Sequence, residues 1–173
     1  MAGFIDIACN FTHPSFAENI DQVLLEAKTA DVKKFVLLCA SLNDLKPIQK
    51  IQSLNPSQFF ITAGIHPHHA NEILNLNEVP LVDRLLSIEP DAIGETGLDY
   101  FRNISPPEIQ RDSFVMHIEI AKELNKPLYL HQRDAHDDFI SIIKNQSSSL
   151  PQFVVHCFTG TQKQLDDYLD LGA

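Results

Sequence analysis

Six short apolar runs recur along the chain, and an amphipathic stretch follows each of them. The runs cover residues 4–8, 34–40, 58–65, 91–95, 127–131 and 153–156. They are apolar continuously rather than alternately, which is typical of strands buried on both faces of a parallel sheet. We therefore predict six strands, each followed by a turn and a helix.

The amphipathic stretches predict helices over residues 16–30, 44–54, 79–88, 106–124, 135–144 and 161–171. In the fourth stretch, Phe114, Ile118 and Ala121 recur at the spacing of one helix face. Ser105, followed by two prolines and an acid, marks the start of that helix. Strands that alternate with helices predict an α/β fold.

The number of repeats favours a (β/α)8 TIM barrel of which about six βα units are present. A complete barrel needs eight strands and about 250 residues, whereas this chain has 173 residues. An open doubly wound sheet is the alternative, although no GxGxxG follows the first strand. We predict one domain over residues 1–173, incomplete at its C-terminus.

Composition narrows the class of protein. Hydrophobic residues make up 44% and charged residues 21% of the chain, which is typical of soluble globular proteins. No apolar run is long enough for a membrane span, and no secretory signal is recognisable. Three distant cysteines without a CxxC pair predict small buried thiols in a reducing, cytoplasmic protein.

The formal net charge of −10 argues against a broad basic surface for nucleic acid. It leaves room for a phosphate substrate, because a bound divalent metal can supply positive charge locally. Side chains that could hold a metal are therefore the relevant candidates for binding a phosphate substrate.

Polar and ionisable side chains collect at the predicted carboxyl ends of the strands. In a barrel these ends converge on the face that carries the active site. The third strand is followed by His66, His68 and His69, the fourth by Glu95 and Asp99, the fifth by His131, Arg133, Asp134 and His136, and the sixth by His156. His117 lies inside a predicted helix, and we interpret it as a packing or surface residue.

Glu95 is the most informative of these residues, because a buried carboxylate needs a cation or strong hydrogen-bond donors. A divalent metal shared with His131 and His156 would meet that need. Imidazole and carboxylate ligands suit Zn, Mn or Fe, and a site rich in carboxylate and water could hold Mg. The alternative for each histidine is an ordinary core or loop residue.

Arg133 has two interpretations that the residues alone leave open. It could contact a phosphate oxygen, or it could form an internal salt bridge with Asp134 or Asp99.

Five segments resemble the TatD family of metal-dependent deoxyribonucleases: DIACNFT, GIHPHHA, AIGETGLDYFRN, LHQRDAHDDF and VVHCFTGT. The resemblance runs from about residue 5 to the last residue. It implies a TIM barrel of the metal-dependent hydrolase type, with one or two divalent ions such as Mg, Mn or Zn. It also implies hydrolysis of phosphodiester bonds in DNA, in several members as a 3′→5′ exonuclease.

The resemblance assigns roles to individual residues. Glu95 would be a catalytic, metal-bridging carboxylate, and His131 and His156 would be metal ligands. His66 and His68 would line the site near the substrate phosphate. For the nuclease reaction itself, we predict that His66 is catalytic and that Arg133 joins His66 and His68 in contacting the substrate.

Two departures from the family pattern stand out. Ala8 and Asn10 replace the His-x-His pair that many members carry after the first strand, and one branch of the family shares this feature. The chain also stops before the motif that supplies a metal-binding Asp at the eighth strand.

Two alternatives to a nuclease follow. One is a related barrel hydrolase that acts on a small amide or lactone. The other is an inactive truncated barrel, whose exposed apolar edges would favour self-association.

Overall fold

The six predicted strands form a single parallel sheet. A computed structural model describes residues 3–16, 18–77, 79–146 and 149–173. Within these residues the strands are β1 (Phe4–Cys9), β2 (Val32–Leu37), β3 (Phe59–Ala63), β4 (Ala92–Asp99), β5 (Leu128–Arg133) and β6 (Phe153–Val155). The predicted βα units are confirmed.

The strand order in the sheet is β1-β2-β3-β4-β5-β6, the same as the order along the chain. A doubly wound sheet would reverse direction at a switch point, whereas a barrel adds each strand beside the previous one. The sheet is therefore a curled part-barrel, and the doubly wound alternative is wrong.

Helices follow the strands as predicted. In the part of the chain that the structure describes, they are α1 (Ile20–Thr29), α2 (Leu45–Gln52), α3 (Leu81–Leu86), α4 (Pro107–Leu124), α5 (His136–Asn145) and α6 (Gln162–Asp170). Short 3-10 helices cover Pro14–Phe16, Leu42–Asp44 and Pro67–Asn75. None of the helices described is long and apolar enough to cross a membrane.

The core lies between the sheet and the helices. Phe35 and Phe59 are buried on β2 and β3, and their ring centroids are 5.7 Å apart. Phe114 of α4 stacks on Phe139 of α5 with a centroid distance of 5.0 Å. One of these ring contacts joins two neighbouring strands, and the other joins two neighbouring helices.

The edge strand β1 departs from the prediction of burial on both faces. Phe4 is 69% and Ile5 is 56% exposed. The reason is positional, because β1 is the first strand of the sheet and pairs only with β2 among the described residues.

Strand β4 is longer than predicted, because it continues through Gly97 to Asp99. Gly97 has φ of 140°, and a Cβ atom there would lie 1.9 Å from the carbonyl oxygen of His131. Gly97 therefore allows close contact between β4 and β5. The extension brings Asp99 to the same edge of the sheet as Glu95.

Candidate metal centre

Four adjacent strands bring their carboxyl ends together. His66 follows β3 and precedes the 3-10 helix Pro67–Asn75, Glu95 lies in β4, His131 lies in β5, and His156 follows β6 directly. Because β3, β4, β5 and β6 are neighbours in a parallel sheet, these side chains meet at one edge.

One carboxylate oxygen is the centre of this group. Glu95 Oε1 lies 2.5 Å from His156 Nε2, 3.1 Å from His131 Nδ1 and 3.5 Å from His66 Nε2. The Glu95 side chain is buried, at 7% exposure. Since one carboxylate oxygen has two lone pairs, it cannot accept a hydrogen bond from all three rings.

Glu95 is ionised in this setting. Burial alone would raise its pKa, but hydrogen bonds from His131 and His156 outweigh burial and hold the pKa well below the usual range. Among the described residues its only ion-pair partners are the three histidines, and no lysine or arginine lies within 4.0 Å. A buried negative charge of this kind suits a divalent cation.

His66 is neutral and has an assignable tautomer. Burial lowers the pKa of His66 to about 3, against the opposing effect of Glu95. The backbone N–H of His68 donates to His66 Nδ1 at 3.1 Å. Nδ1 is therefore the acceptor, and the ring proton is on Nε2, which faces Glu95.

His131 lies between two carboxylates. Its Nε2 is 3.3 Å from Asp99 Oδ2, while its Nδ1 faces Glu95. A cation bound at Nδ1 would replace the Nδ1–H that donates to Glu95, and the ring proton would then lie on Nε2 toward Asp99, the usual arrangement around a metal-bound histidine. The second carboxylate, Asp99, also lies 2.7 Å from His68 Nε2 and so holds both rings.

The donor set fits a metal. The potential ligand atoms of His66, Glu95 and His131 all lie within 4.8 Å of one another. Glu95 and His131 of this group are predicted ligands, whereas His66 has its Nδ1 occupied and its ring proton on Nε2 and would therefore border the ion without binding it. His156 is outside this group but contacts the same Glu95 oxygen. An ionised carboxylate and neutral imidazoles are the forms that bind transition metals.

The predicted substrate contacts lie next to this centre. His68 is in contact with His66, with ring centroids 4.2 Å apart. In the described residues Arg133 forms no ion pair, so neither predicted salt bridge is present. Instead its Cζ lies 3.9 Å from the centroid of the Phe101 ring.

Other strand-end residues lie apart from the cluster. His69 is half exposed and 3.9 Å from Glu72. His136 contacts Asp167 and the Tyr168 hydroxyl at 3.0 and 3.1 Å. His117 is buried, as expected for a packing residue.

The cysteine prediction was correct for two residues and wrong for one. Cys9 and Cys39 are buried, whereas Cys157 is exposed. The reason is that β6 ends at Val155, so the alternation of side chains between the two faces of a strand does not extend to Cys157. Cys157 also has a left-handed φ of 50°.

Sequence reasoning noted Asp99 but missed its role, and it missed Gln110 entirely. Gln110 Oε1 accepts the Asp99 backbone N–H at 2.8 Å, and its Nε2 donates to the Asp99 carbonyl at 3.2 Å. A polar residue in the first turn of α4, four residues before Phe114 on the apolar face, was the available signal for such a buried contact.

Comparison with known proteins identifies the family. Residues 5–173 match the family described as TatD related DNase. The chain is 40% identical over 167 residues to a protein of Erwinia billingiae named 3′-5′ ssDNA/RNA exonuclease TatD, covering 96% of this chain and 64% of the relative. The protein of the same name from Escherichia coli K12 is 36% identical over 160 residues, with 92% and 61% covered.

Solved structures agree with the part-barrel. A TatD family hydrolase from Entamoeba histolytica superposes with a TM-score of 0.84 at 29% identity, covering 98% of this chain and 63% of that one. A TatD homologue from Escherichia coli gives a TM-score of 0.83 at 26% identity, with 98% and 65% covered. The chain thus spans less than two thirds of the length of these relatives. Its sequence and its fold together place the chain in the TatD related DNase family.

Proposed function

We propose that this chain belongs to a metal-dependent hydrolase that cleaves phosphodiester bonds in DNA, as a 3′→5′ exonuclease. The observation that carries the proposal is the convergence of three histidine rings on one oxygen of the buried, ionised Glu95. The names of the curated relatives support a nuclease over a hydrolase of small amides or lactones.

Glu95, His131 and His156 are the proposed ligands of one or two divalent ions, with Mg, Mn and Zn as the candidates. Such an ion would act as a Lewis acid on a phosphoryl oxygen and would lower the pKa of water. Asp99 fixes the orientation of the His131 ring through Nε2 and thereby directs Nδ1 toward Glu95.

His66 is the proposed hydrogen-bond donor to the substrate. Its Nδ1 is occupied by the His68 backbone N–H, so Nε2–H is the group that can donate to a phosphoryl oxygen. Because the lowered pKa keeps the ring uncharged at neutral pH, His66 acts as a polar donor and not as a cation.

Positive charge near the site comes from Arg133, the proposed phosphate contact. Its guanidinium has five donors and no carboxylate partner in the described residues. Unpaired cysteines are consistent with a cytoplasmic enzyme.

The test is release of nucleotides from a 3′-labelled single-stranded oligodeoxynucleotide in the presence of Mg²⁺ or Mn²⁺. We expect hydrolysis by the wild-type chain, its loss on addition of EDTA, and at least a hundredfold decrease in Glu95→Gln. Glu119→Gln is the matched control, because Glu119 is exposed on α4 and its replacement by glutamine removes the same charge. Hydrolysis that persists in Glu95→Gln, or absence of hydrolysis with each metal, would contradict the proposal.

A further inference from the structure

We infer that Phe101 and Arg133, here called the Phe101–Arg133 stack, form a platform for an unpaired nucleobase of the substrate beside the metal centre. The inference rests on the proposed function, and it goes beyond that function by assigning the contact with a substrate base to named residues. In it, a base stacks on the Phe101 ring while Arg133 contacts the adjoining phosphate.

The Phe101 ring is both exposed and held in place. Phe101 is 58% exposed, in the turn that follows β4. The turn is anchored on both sides of the ring. Tyr100 N–H donates to the Arg133 carbonyl at 2.9 Å, and Arg102 N–H donates to Asp99 Oδ1 at 2.8 Å. An aromatic ring on an anchored turn loses little conformational freedom when a ligand stacks on it.

A further anchor comes from the side chain before Phe101. The Tyr100 hydroxyl donates to Asp138 Oδ2 at 2.7 Å, and Arg111 contacts both groups. These contacts tie the turn to α4 and α5.

Arg133 adds the charge that a nucleotide requires. Its Cζ lies 3.9 Å from the centroid of the Phe101 ring, within the range of a cation–π contact. Neither Arg133 nor the exposed Arg102 forms an ion pair in the described part of the chain. Arg133 therefore places an available guanidinium against Phe101, and Arg102 is the next residue in the chain, in a protein whose net charge is −10.

The Phe101–Arg133 stack lies close to the metal centre along β5. His131 and Arg133 are two residues apart on β5, so their side chains point to the same face and are about 6.6 Å apart along the strand. Asp99 connects the two regions, because one carboxylate oxygen contacts His68 and His131 and the other holds the turn that carries Phe101.

This arrangement selects unpaired strands. A base within a duplex has both faces covered by its neighbours, whereas a base in a single strand can stack on an aromatic side chain. Such stacking tolerates every base, because each has a π face. The stack therefore assigns the contact with an unpaired base, of any sequence, to the Phe101 ring.

Tryptophan fluorescence gives a direct test, because the chain contains no tryptophan. The probe is a single-stranded octathymidylate with phosphorothioate linkages, which resist hydrolysis, added in the presence of Mg²⁺. We expect saturable quenching of the indole in Phe101→Trp. The control is Phe4→Trp, which places an exposed indole on the edge strand β1 and should show no quenching.

Affinity measurements complete the test. We expect Phe101→Ala to weaken binding of the octathymidylate by about tenfold, and Phe101→Tyr to restore it. An octamer with abasic sugars should bind the wild type about tenfold more weakly than the octathymidylate does. Phe101→Ala should bind this abasic octamer no more weakly than the wild type does. Arg133→Ala should reduce the dependence of affinity on salt, since that side chain contacts phosphate.

The outcomes separate the stack from the proposed function. Unchanged affinity in Phe101→Ala, or an unquenched indole in Phe101→Trp, would overturn the stack even if the wild type hydrolyses DNA. Quenching together with abasic-sensitive binding would support the stack even if no metal permits hydrolysis, and only the proposed function would then fail.

Discussion

Glu95 and His156 are 61 residues apart in the chain, yet Oε1 of the carboxylate lies 2.5 Å from Nε2 of the ring. The parallel sheet produces this contact by placing β4, β5 and β6 side by side. His131, on the strand between them, contacts the same oxygen. A buried carboxylate surrounded by imidazoles is thus a direct product of strand order.

Asp99 is expected to increase the metal affinity of this centre without being a metal ligand. Because Asp99 orients His131 and His68, the Asp99→Asn variant should bind Mn²⁺ about 10- to 100-fold more weakly, as measured by titration calorimetry. Asp138→Asn makes the same change of charge in the contact with Tyr100 and should leave the affinity unchanged. Equal affinities in Asp99→Asn and the wild type would show that Asp99 does not position the ligand.

Much of this architecture could be predicted from the sequence. Continuous apolar runs identified the strands, and the positions of Glu95, His131 and His156 followed from the convergence of strand ends in a barrel. These inferences depend on short, local sequence patterns.

The remaining features depend on register and side-chain orientation. The His66 tautomer follows from a backbone N–H two residues later, in a 3-10 helix that the sequence pattern did not predict. The role of Asp99 depends on the extension of β4 past Gly97, whereas the predicted strand ended at residue 95. Exposure of Cys157 depends on one left-handed residue after β6.

His117 should make stability depend on pH. Burial lowers its pKa to about 4, while the ordinary value in an unfolded chain is 6.5. Above pH 6.5 the ring is neutral in both states and contributes no pH dependence. As the pH falls from 6.5 to 4 the unfolded chain takes up the proton first, so up to about 3 kcal/mol of stability should be lost.

Urea unfolding at pH 7.5 and pH 5 measures this effect. His117 Nε2 accepts the Ile65 N–H at 3.0 Å, and Nδ1–H donates to the Ser113 carbonyl at 2.7 Å. His117→Gln should reduce the loss of stability between the two pH values, whereas His69→Gln, at an exposed site, should retain it. An unchanged loss in His117→Gln would show that another group titrates.

Gly97 should be intolerant of any side chain. In Gly97→Ala the new Cβ would meet the His131 carbonyl oxygen at 1.9 Å, in a backbone region that L-residues avoid. We expect a decrease of at least about 3 kcal/mol in the free energy of unfolding, measured with denaturant. Gly172→Ala is the control, because it also has positive φ but no atom within 4 Å of the new Cβ, and it should cost about 1 kcal/mol. Equal effects of the two substitutions would mean that β4 and β5 are not in close contact at Gly97.

The most direct test of a metal centre at Glu95 is calorimetric titration of the wild-type chain and of Glu95→Gln with Mn²⁺. The geometry predicts saturable binding by the wild type and an affinity at least tenfold lower in Glu95→Gln. The same titration of Glu119→Gln should match the wild type. Equal Mn²⁺ affinity in Glu95→Gln and the wild type would contradict a metal centre built on this carboxylate.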